Sequence, residues 1–226
     1  MDKADTIRPA SIAGRPWRRA TAWFVLLGIL FYVSYGLSNW LASLRADVPA
    51  IVFAWEHAVP FLSWTIIPYW STHVLFALSF YLCRNRTELD SHARRLLTAQ
   101  VIAVACFIAY PLRISFPRPH IEGAVGFLFE PLSLLDQPFN QAPSLHVATM
   151  TILYDLYARV LPRWALLPFA LWTLIVVVSV MTTYQHHFID VPTGLLLGLL
   201  CIWLWPREGG NRLGQLARWR VPSADR

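Results

Sequence analysis

Two of the most apolar stretches of this chain carry histidines and a carboxylate: Ala142-Pro143-Ser144-Leu145-His146 and Gln185-His186-His187-Phe188-Ile189-Asp190. Ionisable groups at membrane depth cost several kcal/mol unless they face a cavity or one another, so such residues mark function by default. Upstream, Arg113-Ile114-Ser115-Phe116-Pro117-Arg118-Pro119 supplies two fixed cations. Guanidinium forks match phosphoryl oxygens in pairs. A histidine can attack phosphorus or pass on a proton, and a carboxylate can orient its ring. Together these residue types allow phosphoryl transfer.

His186 and Asp190 stand four apart, a spacing that shares one face of a helix. Asp190 would then hold one imidazole nitrogen and leave the other free to attack. The competing reading is a helix-start histidine beside an aspartate that caps the helix. Pro192 fits a helix here only in its first turn, where its missing N–H costs nothing. His187 is either an interfacial neighbour or the reacting histidine itself. Ser144 is a good N-cap for a helix entering at Leu145, and helix N-termini attract phosphate. His146, inside that first turn, is placed to protonate a leaving alkoxide; the plain alternative is a buried histidine behind a capping serine. Arg113 and Arg118 are candidate phosphate clamps or headgroup contacts. His73 and Asp155 lie within apolar runs, where packing and helix pairing compete with a cavity-lining role. Asn140, Gln141, Tyr184 and Gln185 flank the two histidine segments and could line the same mouth.

The elements that must position these residues follow from composition. The chain is 56% hydrophobic and 14% charged, against roughly 25% charged in soluble domains. Eleven tryptophans suit the two membrane interfaces. Crossing the hydrocarbon core takes about 20 apolar residues, and six candidate runs appear: 21–41, 64–83, 96–112, 145–160, 165–181 and 188–205, the fourth the weakest because it carries His146 and Asp155. Membrane-spanning backbone satisfies itself as helix, and the alternating pattern of an outer-membrane barrel is missing. The expectation is an all-α polytopic bundle of six transmembrane helices. Residues 21–205 form one membrane domain, 1–20 an N-terminal tail and 206–226 a basic C-terminal tail. The first run is too long for a signal-peptide core and is expected to stay attached. Cys83, Cys106 and Cys201 all fall in apolar runs, as small core residues rather than a disulfide framework or zinc site.

All lysines and arginines except Arg45, Arg113 and Arg118 fall on one side of a six-span chain. The positive-inside rule then places both termini in the cytoplasm. It places the Arg113 segment, His146 and His186 together on the non-cytoplasmic face, and the expected location is a plasma membrane, the inner membrane of a bacterium. The net charge of +6 is explained by that placement and calls for no nucleic acid.

Taken in order, the Arg-Pro, Pro-Ser-Leu-His and His-x-x-x-Asp elements resemble the three motifs of the type 2 phosphatidic acid phosphatase superfamily. Pro143-Ser144-Leu145-His146 with His186-His187-Phe188-Ile189-Asp190 is most similar to the branch that includes inositol phosphorylceramide and sphingomyelin synthases and bacterial relatives. The resemblance implies a two-step transfer without metal or other cofactor. His186 would form a phosphohistidine, with Asp190 holding its ring; His146 would protonate the leaving alcohol and then activate water or an acceptor. Arg118, with Ser144, would bind the phosphoryl oxygens. Two family positions differ here: Pro111 stands where a lysine usually opens the first motif, and Val180 where an arginine follows Ser179.

A membrane lipid-phosphate phosphatase acting on a phospholipid or an isoprenyl (pyro)phosphate is the leading expectation. A lipid headgroup phosphotransferase shares its chemistry as far as the phosphohistidine. Further readings are a metal-dependent hydrolase using His146, His186, His187 and Asp190, a serine hydrolase built on Ser144, and a non-catalytic scaffold or transporter. No elbow glycines flank Ser144, as a serine hydrolase of the common kind would need. The partners implied are a lipid phosphate and the bilayer; the number of subunits is not legible.

Overall fold

The computed structural model describes residues 16–117, 119, 121, 123–135 and 138–207. Arg118 and residues 1–15 and 208–226 lie outside the described residues, and the end of the expected N-terminal tail, from Trp17, is already helix. The named elements of the described chain are all helical: α1 (Trp17–Ser43), α2 (Ile66–Leu82), α3 (Arg86–Ala109), α4 (Gly123–Leu135), α5 (Leu145–Val160), α6 (Arg163–Thr182) and α7 (Asp190–Leu204), with short 3-10 turns at Ala54–Ala58 and Ser63–Thr65. The only pairing of extended backbone among the described residues is one isolated bridge between Leu112 and Asn140. The all-α expectation holds.

Each expected apolar run holds a helix, and capping side chains start two of them, Asn85 for α3 and Ser144 for α5. The third helix begins ten residues before the expected run. There Asn85 accepts the Glu88 amide at 2.9 Å, and Glu88 accepts that of Arg84 at 2.8 Å, a reciprocal cap that extends α3 beyond its apolar part. Helix α4 stands where a loop is expected: an apolar segment of 13 residues, too short to cross a membrane, that packs on α2 and the Ser63–Thr65 turn. α1, α3 and α6 are long and apolar enough to span a bilayer, while α7 is apolar but shorter. Large apolar side chains such as Ile29, Val33, Leu167, Leu174 and Leu196 are exposed on the outer faces of α1, α6 and α7. In water such a surface would aggregate, and with three helices of spanning length it points to a membrane protein.

α5 is the central element and packs against α2, α3, α6 and α7. Its seam with α7 is set by Gly194 and Gly198, which fall on one face of α7. A Cβ on Gly194 would lie 2.5 Å from the Ser144 carbonyl oxygen; one on Gly198 would lie 2.6 Å from Thr151 Cβ and 2.8 Å from the Ala148 carbonyl. Small residues spaced by four let helix backbones approach this closely in membranes. The seam fixes the start of α5, bearing His146, against the start of α7, bearing Asp190.

The opposite end of the bundle is held by ions. Arg19 donates to both oxygens of Asp90, at 2.7 and 2.8 Å. The buried Arg95 pairs with Asp155 at 2.7 Å and donates to the Trp205 carbonyl, while Arg159 bridges Asp155 and Glu88. Asp155 is therefore a helix-pairing residue, nine positions along α5 from His146.

Candidate functional site

The Ser144 hydroxyl accepts the Val147 amide at 3.3 Å, so it caps α5 as its position in the sequence implies. His146 follows one residue into the helix. Its ring stacks on Tyr69 with centroids 4.1 Å apart, and its Nε2 is buried without a partner among the described residues. An unpaired buried imidazole nitrogen is costly unless a ligand or water completes it.

His186 faces Asp190 as the spacing implies, Nδ1 to Oδ2 at 3.2 Å, but not along a helix. Residues 186–189 form a turn, and Asp190 is the first residue of α7. The turn is drawn tight by the Asp190 and Val191 amides, which donate to the His187 and Phe188 carbonyls at 3.2 and 3.0 Å. Asp190 Oδ2 also accepts the His187 amide at 2.9 Å, so the carboxylate closes the turn as well as holding the ring. Asp190 Oδ1 is buried and unpartnered among the described residues. Pro192 falls in the first turn of α7, where it costs no hydrogen bond.

His146 and His186 open onto one cavity of about 500 Å³ that runs between α1, α2, α3 and α5. Its polar end carries these two histidines with His73, Asn39 and Asn140; its other end is walled by Phe24, Phe76 and Leu96. His73 thus lines the cavity, its ring 6.0 Å from that of His146. The Asn140 amide donates to the Tyr35 carbonyl at 2.9 Å and its oxygen has no partner among the described residues. Gln141 and Gln185 satisfy local carbonyls, at 3.4 and 3.2 Å, and Tyr184 donates to Val59 at 3.1 Å; none of these three lines the cavity.

The cations are arranged differently from the histidines. Arg113 is exposed and is not among the side chains lining the cavity; its backbone amide donates to the Pro49 carbonyl at 2.9 Å. Arg118 lies outside the described residues. Val180 is fully buried among Ile66, Tyr69, Leu132 and Val147, and its carbonyl accepts the Gln185 and His186 amides at 3.0 and 2.9 Å. Here the position serves packing and the turn, not charge. None of the described side chains that line the cavity is lysine or arginine. No three His, Cys, Asp or Glu among the described residues converge as metal ligands.

Two residues of this region escape sequence reasoning. Glu56 is buried and faces His187 Nδ1 at 3.1 Å, and Ser115 faces His187 Nε2 at 3.1 Å. The only signal for Glu56 is an isolated carboxylate in the apolar stretch Phe53-Ala54-Trp55.

Comparison with protein-family models, curated proteins and solved structures finds no match for this chain. The geometry therefore carries the functional argument.

Proposed function

We propose that this protein is an integral membrane lipid-phosphate phosphatase of the type 2 phosphatidic acid phosphatase kind, working through a phosphohistidine. The observation that carries the reading is the His186–Asp190 pair at 3.2 Å, its histidine on the same cavity as His146, whose Nε2 has no partner among the described residues. Asp190 on Nδ1 leaves Nε2 of His186 as the attacking atom. In the first step Nε2 bonds to phosphorus, the bond from phosphorus to the lipid oxygen breaks, and His146 gives that oxygen a proton. In the second, His146 takes a proton from water, which attacks phosphorus, and the N–P bond breaks to release phosphate. The N-termini of α5 and α7 meet at this end, and their partial positive charge favours the phosphoryl group. The apolar walls of the cavity suit a lipid chain.

In this reading all helices but α4 cross the membrane, both termini are cytoplasmic, and the site opens at the outer face. The ion-paired end, with Arg19, Arg95 and Arg159, is then cytoplasmic in accord with the positive-inside rule. A second reading, lipid headgroup phosphotransferase, is favoured by one observation: the described cavity lining holds no fixed cation, which suits a diester better than a doubly charged monoester.

The test is inorganic phosphate release by the purified protein in detergent from a panel of lipid phosphates and isoprenyl pyrophosphates, beside His186→Ala. Release lost in the variant supports the phosphatase. No release from any substrate, with a labelled headgroup moved between lipids, supports the transferase. Activity that survives His186→Ala rejects both.

A further inference from the structure

Glu56 sits on the short turn Ala54–Ala58 with its carboxylate 1% exposed. Oε1 accepts the Phe53 amide at 2.8 Å; Oε2 accepts the Phe188 amide at 2.9 Å and faces His187 Nδ1 at 3.1 Å. On the far side of the ring, His187 Nε2 meets the Ser115 amide and hydroxyl, both at 3.1 Å. An amide only donates, so Nε2 is the acceptor and Nδ1 carries the proton that goes to Glu56. Both ring nitrogens of His187 are occupied, and Phe116 packs edge-on against the ring, with centroids 4.9 Å apart. His187 has no lone pair to offer phosphorus. Its own amide, meanwhile, donates to Asp190 Oδ2, the oxygen that holds His186.

We propose that Glu56 and His187 are a positioning pair that fixes His186 for attack, with Ser115 as the far anchor of the clamp. This rests on the reading of His186 as the reacting group. The pair touches neither substrate nor phosphorus. It joins three segments distant in the chain, around Glu56, Ser115 and the 186–190 turn, and so holds the peptide between His186 and His187. A buried carboxylate that accepts two amides and an imidazole is a strong, directional anchor. Attack on phosphorus is sensitive to such placement: a shift of about 1 Å costs roughly a hundredfold in rate.

The test uses the full-length protein in detergent with Glu56→Ala, His187→Ala and His187→Asn, the last keeping a donor toward Glu56. The expected result with a turned-over lipid phosphate is kcat lower by about 10²-fold in both alanine variants, with KM little changed. His187→Asn should recover at least about a tenth of wild-type kcat. Hydrogen exchange without substrate gives the second measurement: the Ser115 amide should exchange faster in His187→Ala, and the Phe188 amide in Glu56→Ala. Exchange unchanged at both amides means there is no clamp and overturns the proposal. Faster exchange with kcat intact, or a rise in KM with kcat intact, also overturns it, because the pair then serves folding or substrate binding. If the wild type itself acts on no substrate, the reading of His186 fails and this proposal falls with it; silent variants beside an active wild type whose amide exchange they leave unaltered are a failure of the clamp alone.

Discussion

The Ser144 amide donates to the carbonyl oxygen of Asp190 at 3.1 Å, joining the residue that caps α5 to the one that opens α7. The bond sets the relative height of the two helix starts, and with it the placement of His146 and His186 on one cavity. Two further features hold it: the close seam at Gly194 and Gly198, and the turn whose amides end on His187, Phe188 and Asp190.

The seam makes the glycines testable. Gly194→Ala or Gly198→Ala places a Cβ 2.5 to 2.8 Å from backbone oxygens of α5, atoms that cannot turn aside. Overpacking of this kind costs about 1–3 kcal/mol, and the gain in helix propensity, at most about 1 kcal/mol, does not cancel it. The midpoint of thermal unfolding in detergent should fall by several degrees for each variant. Gly28→Ala, with open space around its Cβ, should leave the midpoint unchanged or raise it.

If His146 is the proton donor, its loss should depend on the leaving group. His146→Asn is expected to lower kcat for an alkyl lipid phosphate by about 10²–10⁴-fold. A nitrophenyl phosphate ester needs no proton to leave, so the first step should survive and the second, which needs a base, should not. Stopped-flow absorbance should then show a burst of one nitrophenol per protein followed by slow turnover. An equal loss with both esters, and no burst, would remove His146 from the acid role.

How far the site was legible follows from the range over which each interaction acts. The Ser144 cap and the His186–Asp190 pair depend on residues three or four apart, and both stand in the structure. The pair stands for a different reason than the spacing suggests, since a turn meeting a helix start brings i and i+4 together as a helix face does. Glu56 and His187 are separated by 131 positions, and no local rule links them. The clamp is visible only once the turn at Ala54–Ala58, residue 115 and the start of α7 converge. α4 was hidden because its apolar run is too short to read as a span, and the first ten residues of α3 because their polar side chains look like a loop. Arg113 fits a phosphate clamp by residue type, yet its position outside the cavity is set by the pairing of its amide with Pro49, which its own side chain does not announce.

The ion-paired end should govern stability and not turnover. Asp155→Ala leaves Arg95, whose side chain is 3% exposed, without its carboxylate, and an uncompensated buried charge costs about 3–5 kcal/mol. The value here should lie at the low end, because Asp155 is 29% exposed and Arg95 keeps its bond to the Trp205 carbonyl. Unfolding in detergent is expected at markedly lower temperature, with kcat per folded molecule unchanged when it is assayed well below that temperature. A fall in kcat with stability intact would place Asp155 in the reaction.

The cavity predicts how chain length should enter the kinetics. Residues 24–39 of α1 line its long axis and rise roughly 22 Å at 1.5 Å each, more than the ~15 Å of one leaflet of a ~30 Å hydrocarbon core. Gly28 lines the wall partway along, with nothing within 4 Å of a Cβ, so Gly28→Leu should fill the space without disturbing the fold. A chain displaced by even two methylenes loses about 1.6 kcal/mol of burial at ~0.8 kcal/mol each. That loss corresponds to a fall of roughly 15-fold in kcat/KM. The fall should appear with long-chain lipid phosphates and vanish with a short-chain, water-soluble ester that ends before Gly28. Equal values for both esters in Gly28→Leu and wild type would mean that the chain lies elsewhere, against the outer face of the bundle.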